Sequence, residues 1–271
     1  MKIMGILNVT PDSFYDGGKF FDLKKAVEKG LKMIEEGADI IDIGGESTRP
    51  GSERIDEEEE KRRVFPVIEE IRRNTDIPIS IDTYKSGVAI GAIERGVNII
   101  NDISGLRFDK NMVNVLKRNK DVKVVIMHMK GEPKTMQENP FYEDVIKEIR
   151  DFFIERIEFL KENGISDDRI IIDPGIGFGK RLEDNLEIIR NIDEFKKLGY
   201  PVLIGHSRKS FIGAVLGRKN PEERFAGTIA VSLYLFKKGV DILRVHDVKE
   251  TLDAIKMWEE IESEPVFQNS T

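Results

Sequence analysis

Short apolar runs alternate along the chain with longer stretches in which apolar positions recur every three or four residues. The runs are Ile3–Val9, Ala38–Gly44, Ile77–Asp82, Val97–Ile103, Val122–His128, Arg169–Pro174, Pro201–His206 and Val240–His246. Most are near-continuously apolar, which predicts strands buried on both faces of a parallel sheet. The stretches between them predict helices. In the first, Leu23, Ala26, Val27, Gly30, Leu31 and Ile34 fall on one stripe, with Lys and Glu opposite. After the fifth run, Val145, Ile149, Phe152, Phe153, Ile157 and Leu160 do the same, with Arg156 as the one polar member. Gly37, Gly96, Gly164, Gly199 and Gly239 each stand just before a strand, where a left-handed cap ends a helix. A helical stretch, Val248–Ile261, also follows the last run.

Eight strand–helix units in 271 residues predict an α/β fold, a (β/α)8 TIM barrel forming a single domain over residues 1–262. The rival is a doubly wound open sheet of the same period. Closure is favoured because the eight repeats exhaust the chain. No Gly/Ser- or Pro-rich linker divides it, and the polar residues 263–271 predict a frayed tail.

Composition then removes whole classes of function. With 39 % hydrophobic and 34 % charged residues the chain is globular, and no apolar run reaches the ~18 residues of a membrane span. The apolar start, Met1 to Val9, is too short for a signal-peptide core and has no small-residue cleavage site, so the expected compartment is the cytoplasm. Without cysteine there are no disulfides, zinc fingers, iron–sulfur clusters or thiol nucleophile. A net charge of −7 argues against a nucleic-acid partner but allows an anionic small substrate held by a few local cations.

In such a barrel the chemistry gathers where strands end and loops begin. Nearly every run delivers a polar group there: Asn8, Thr48-Arg49, Asp82, Asn101, Met127-His128, Asp173, Ser207 to Ser210, and Arg244 with His246 and Asp247. Converging charges of both signs are hard to explain as core filling, since buried charges must be paired. They suit a ligand with a hydrogen-bonding heterocycle at one end and an anion at the other. Bland readings compete with several motifs. Gly175-Ile-Gly-Phe-Gly-Lys180 resembles a phosphate loop only superficially, because Arg181 stands where Ser or Thr is needed. Close backbone approach to a flat ligand, with Phe178 as a wall, fits it better. His128, His206 and His246 could form a metal triad but lack ligand spacing. Ser207 and Ser210 lack a nucleophile elbow, and the acidic run Asp56–Glu60 suits a helix start.

Together these motifs resemble those of the dihydropteroate synthases. Met4-Gly-Ile-Leu-Asn8-Val-Thr-Pro-Asp-Ser-Phe14-Tyr-Asp-Gly-Gly18 is similar to the family's opening signature, and Ala38–Gly51 to its second. Ser80–Thr83, Ile100–Ile103, Asp173–Lys180, Ser207–Ser210 and Arg244–Asp247 follow in the family's order. The resemblance implies a (β/α)8 enzyme of folate biosynthesis. It would join 4-aminobenzoate to (7,8-dihydropterin-6-yl)methyl diphosphate, giving 7,8-dihydropteroate and diphosphate. It also implies an Mg2+-dependent homodimer and sulfonamide target, with small-molecule substrates and neither a nucleic acid nor a membrane as partner.

By that resemblance Asp82, Asn101, Met127, Asp173, Phe178, Gly205 and Lys209 hold the pterin, with Asp173 accepting two N–H donors. Thr48, Arg49, Arg244, His246 and Asn8 take the diphosphate, and Asn8 is the single protein ligand of Mg2+. Phe14, Pro50, Lys209 and Ser210 surround the aminobenzoate. Asp82, Asp173, Lys209 and Asp16 are the catalytic set, the carboxylates stabilising a pterin methylene cation in an SN1-like substitution. The loops Thr10–Gly18 and Glu46–Arg54 would close over the second substrate. Two departures from the resemblance are expected: the chain starts almost at its first strand, so the extension that often plugs the barrel base in relatives would be missing, and His206 occupies a position that is apolar in many of them. The rival functions are a methyltetrahydrofolate:corrinoid methyltransferase, which shares the pterin pocket but needs no diphosphate groups, and a pterin-binding protein without activity. Phe225, Leu233, Tyr234, Phe236 and Trp258 supply apolar area for a dimer face on the last helices, although core packing explains most of them equally well.

Overall fold

The structure is a computed structural model that describes residues 1–10, 19–48 and 51–263, with backbone alone for 19–22. Eight strands form one parallel sheet: β1 (Lys2–Asn8), β2 (Ile40–Gly44), β3 (Ile79–Asp82), β4 (Ile99–Asp102), β5 (Lys123–Met127), β6 (Ile170–Asp173), β7 (Leu203–Ile204) and β8 (Ile242–Val245). The neighbour order is β6-β5-β4-β3-β2-β1-β8-β7. The two ends of that order meet. Ile172 of β6 bridges Val202 just before β7, and the Ile172 N–H donates to the Pro201 carbonyl at 3.0 Å. The sheet therefore closes into the expected (β/α)8 barrel and not the open sheet, with its narrowest seam between β6 and β7.

Helices follow the strands: α1 (Lys19–Glu35), α2 (Glu57–Asn74), α3 (Ser86–Glu94), α4 (Met112–Arg118), α5 (Val145–Glu162), α6 (Leu182–Arg190), α7 (Ile192–Lys196), α8 (Ser210–Leu216), α9 (Phe225–Lys237) and α10 (Val248–Glu262). Two connections carry a pair of helices, α6 with α7 and α8 with α9. The helix starts are made locally. The Asp56 carboxylate accepts the Glu59 N–H at 2.7 Å and caps α2, and Asp144 does the same for α5 through the Lys147 N–H at 2.9 Å.

Strand periodicity decides what faces where, because successive side chains point to opposite sides of a sheet. One parity, with Ile3, Leu7, Ile41, Ile43, Ile79, Ile81, Ile100, Val124, Ile126, Ile170 and Ile172, packs against the helices in the main core. The other parity points into the barrel. Its lower level is an apolar plug of Met4, Ile40, Ile99, Val125, Ile171, Leu203 and Ile242. Two residues further along the chain come Ile6, Asp42, Asn101, Met127, Asp173 and Arg244 on their strands and Gly205 just past β7. A two-residue step thus turns a sealed apolar floor into the base of a polar site.

Candidate active site

The base of the site is an ion-paired network. Arg244 on β8 donates from Nε to Asp42 Oδ2 at 2.6 Å and from Nη2 to Asp82 Oδ2 at 2.8 Å. Asn101 on β4 donates from Nδ2 to the same Asp42 oxygen at 3.1 Å. Asp42 was missing from the residues singled out in the sequence. It lies inside an apolar run and not at its end, and the signal that could have found it is a carboxylate on the inward parity of β2. Asp42 Oδ1 and Asn101 Oδ1 are buried acceptors with no partner among the described residues. Such groups are rare and costly, and at a barrel mouth they point to a ligand that brings donors.

Asp173 closes the far side of the base. Its Oδ1 accepts the Gly175 N–H at 2.8 Å, which starts the glycine-rich loop. Gly175 has φ +69, and a Cβ there would meet the His128 carbonyl oxygen at 2.0 Å, so no other residue fits. Lys180 ends the loop. Its buried ammonium donates to the Phe178 carbonyl at 3.0 Å and lies 3.1 Å from His128 Nδ1. This loop holds Phe178 beside Lys209, whose ammonium sits 4.2 Å from the ring centroid and donates to the Ile176 carbonyl. Met127 lies with Phe178 in a small apolar cluster. Gly205 keeps the wall open beside Arg244, whose Cδ would lie 3.7 Å from a Cβ there.

Charge is tuned by enclosure. Burial pushes the Asp82 carboxyl up to about 7, with Arg244 pulling the other way. Burial also raises Asp173, opposed by the Gly175 N–H and then by Lys209. Enclosure of the Lys209 ammonium brings it down to about 7, opposed by Asp173. Enclosure therefore disfavours the charged form of both carboxyls and of the Lys209 amine, and their opposite charges offset part of that cost.

The remaining candidates divide. His246 Nδ1 lies 2.9 Å from Ser207 Oγ, above Arg244 on the same strand end. Asn8 ends β1 beside Gly44. Thr48 is half-buried and Ser210, the first residue of α8, is exposed. Thr48 leaves β2 on a loop whose neck is tied: Glu46 accepts from Tyr84 OH at 2.7 Å, Lys85 Nζ at 2.6 Å and the Ile55 N–H at 3.0 Å. Phe14, Asp16, Arg49 and Pro50 lie outside the described residues. The three histidines do not converge: His128 meets Lys180, His206 Nε2 lies 2.8 Å from Ser232 Oγ, and His246 meets Ser207.

Residues 4–246 match the pterin-binding enzymes as a family. A dihydropteroate synthase of Clostridium beijerinckii is 50 % identical over 256 residues, covering 94 % of this chain and 92 % of that protein. The chain belongs to the dihydropteroate synthase family. The family's reaction, a step of folate biosynthesis, is the activity this site has to explain. A dihydropteroate synthase structure from Xanthomonas albilineans with 4-aminobenzoic acid superposes with a TM-score of 0.91 at 44 % identity, covering 97 % of this chain and 94 % of that one. A Yersinia pestis dihydropteroate synthase in complex with a sulfonamide drug gives 0.90 at 40 % identity, with coverage of 97 % and 94 %. The match to this family leaves no place for the corrinoid methyltransferase reading. Among the described residues no helix is long and apolar enough to cross a membrane.

Proposed function

We propose that the barrel mouth condenses (7,8-dihydropterin-6-yl)methyl diphosphate with 4-aminobenzoate through the residues described above. One observation carries this assignment: the buried, unpartnered Asp42 Oδ1 and Asn101 Oδ1 lie on the same inward layer as Asp173. An amino-pyrimidinone edge offers adjacent N–H donors to such acceptors, and an ionised carboxylate takes two of them in a charge-assisted pair. Asp173 and Asn101 then orient the ring, Lys209 donates from the opposite side, and Met127 and Phe178 cover its faces. Gly205 leaves the space the ring needs, and Asp82 stands beside the methylene.

The diphosphate arm belongs on the cationic side, with Arg244, His246, Thr48 and Arg49. Asn8 presents an amide oxygen on the inward parity of β1, a hard neutral donor that fits Mg2+ kept largely by water and phosphate oxygens. Bound there, Mg2+ would neutralise charge on the departing diphosphate. In the reaction the C–O bond to diphosphate breaks, the C–N bond to the amine forms, and the amine loses a proton. The arylamine is neutral at pH 7 and needs no strong base to attack. A developing methylene cation favours the ionised forms of Asp82 and Asp173, so the site's charge responds in the direction that lowers the barrier. Asp16, Phe14, Pro50 and Ser210 complete the reading, the last three around the aminobenzoate, which is also where a sulfonamide competes.

A cytoplasmic homodimer belongs to the same proposal. Of the apolar residues that could supply a dimer face, Leu233, Phe236 and Trp258 are partly buried, while Phe225 and Tyr234 are exposed on α9, as are Val215 and Leu216 on α8. Sedimentation at the mass of one chain would remove the dimer. The decisive experiment is diphosphate release with and without 4-aminobenzoate in the presence of Mg2+. Release that requires both substrates and yields dihydropteroate is expected. Pterin binding without release would leave only a binding protein.

A further inference from the structure

Strands β7 and β8 pair through backbone over only two positions, Leu203 with Ile242 and Ile204 with Leu243. Beyond the sheet the same register continues through side chains. Ser207 Oγ lies 2.9 Å from His246 Nδ1 and accepts the His246 N–H at 3.3 Å. One residue on, Arg208 donates to Asp247 in a two-pronged pair, Nε to Oδ2 at 3.0 Å and Nη2 to Oδ1 at 2.6 Å. All four pairs keep a separation of 39 residues, as the hydrogen bonds of the upper two and the Cα register of the lower two both give.

The backbone at Arg208 is held with equal care. It has φ +57, a left-handed conformation that non-glycine residues adopt only when their surroundings impose it. Its N–H donates to Thr228 Oγ1 at 3.0 Å, and its carbonyl accepts from Arg224 Nη1 at 2.9 Å. This turn sends Lys209 toward the glycine-rich loop, while Ser207 and Asp247 flank the segment that carries His246. Arg208 and Asp247 have so far been given no part in the reaction.

We infer that Arg208 and Asp247 are positioning residues that fix the spacing between Lys209, at the pterin end of the site, and His246, at the diphosphate end. The inference rests on the ligand assignment proposed above. A ligand with two recognised ends gains from both only when the two sub-sites stand at the right separation; otherwise each end binds as if alone. The pair would act on that gain and not on either end.

The test measures three affinities by calorimetry: the dihydropterin alcohol without its diphosphate, pyrophosphate with Mg2+, and the complete dihydropterin diphosphate. The variants are Arg208→Asn, which tolerates the left-handed backbone, Asp247→Asn, the double variant, and the exchanged pair Arg208→Asp with Asp247→Arg. Each single variant is expected to bind the two fragments within about twofold of the unaltered protein. The complete substrate should weaken about tenfold, with a matching fall in kcat/KM. The double variant should be no worse than either single one, and the exchanged pair should recover much of the loss. Parallel weakening of fragments and whole substrate, or additive losses in the double variant, would overturn the inference. If the unaltered protein binds neither fragment, the ligand assignment itself fails and this inference falls with it.

Discussion

His206 shows how a single buried side chain can carry a pH dependence without touching the reaction. It lies beneath the Lys209 turn, bonded through Nε2 to Ser232, and its Nδ1 has no partner among the described residues. Burial brings the imidazole down to about 4 from 6.5. Its folded value is thus depressed below its unfolded one. The neutral ring favours folding above pH 6.5, and that advantage is lost as pH falls from there through 4. Between pH 7.5 and pH 5 the change amounts to about 2 kcal/mol, since a tenfold change in an equilibrium constant is worth about 1.4 kcal/mol. A His206→Met variant should therefore lose less stability than the parent on going from pH 7.5 to pH 5, by roughly that amount. Urea unfolding at the two pH values measures it. An equal fall in both proteins would place the acid sensitivity elsewhere, with Lys209, a second base that burial holds below its ordinary value, the next group to examine.

Strands, helices and loops were legible to different degrees, for physical reasons. The strands were found because a β-branched run buried on both faces has no other explanation, and all eight lie within the predicted runs or within a residue of them. The runs were too long at their ends. Gly205 and His206 read as strand but have left the sheet, where they turn the chain toward Lys209. The five glycines expected to end helices all have positive φ, from +67 at Gly239 to +102 at Gly37. The α6–α7 division was not visible, because the break at Asn191 interrupts the backbone without interrupting the apolar stripe, whereas the α8–α9 division is marked in the sequence by Gly217, which caps α8 in the left-handed conformation, and by Pro221. In the site, residues at strand ends could be picked out one by one, including Asp82, Asn101, Asp173, Lys209 and Arg244. Asp42 is marked only by its inward parity within an apolar run, and the partners of Arg244 are not marked at all. A side chain's neighbours across a barrel depend on strand order and register, which leave no mark in local sequence. The same holds for the Arg208–Asp247 pair, whose members are far apart in the chain and adjacent only because β7 and β8 are.

The closed sheet has one weak line. Seven of its strand pairs share a ladder, while β6 and β7 meet through the single Ile172–Val202 bridge. Asp173 rises from one side of that line and Lys209 from the other. A pterin gripped by both would act as a stitch across an unsewn edge. The barrel would then not be fully fastened before its substrate arrives, and the ligand would complete the fastening. Exchange of the Ile172 amide, which donates to Pro201, should then slow on adding the dihydropterin alcohol far more than exchange of the β1–β2 amides. Uniform slowing, or none at Ile172, would mean that the seam is already shut. Were the stitch real, the unliganded protein would breathe along the edge between Asp173 and Lys209, so that recognition of the heterocycle and rigidity of the barrel would be properties of one gap between two strands.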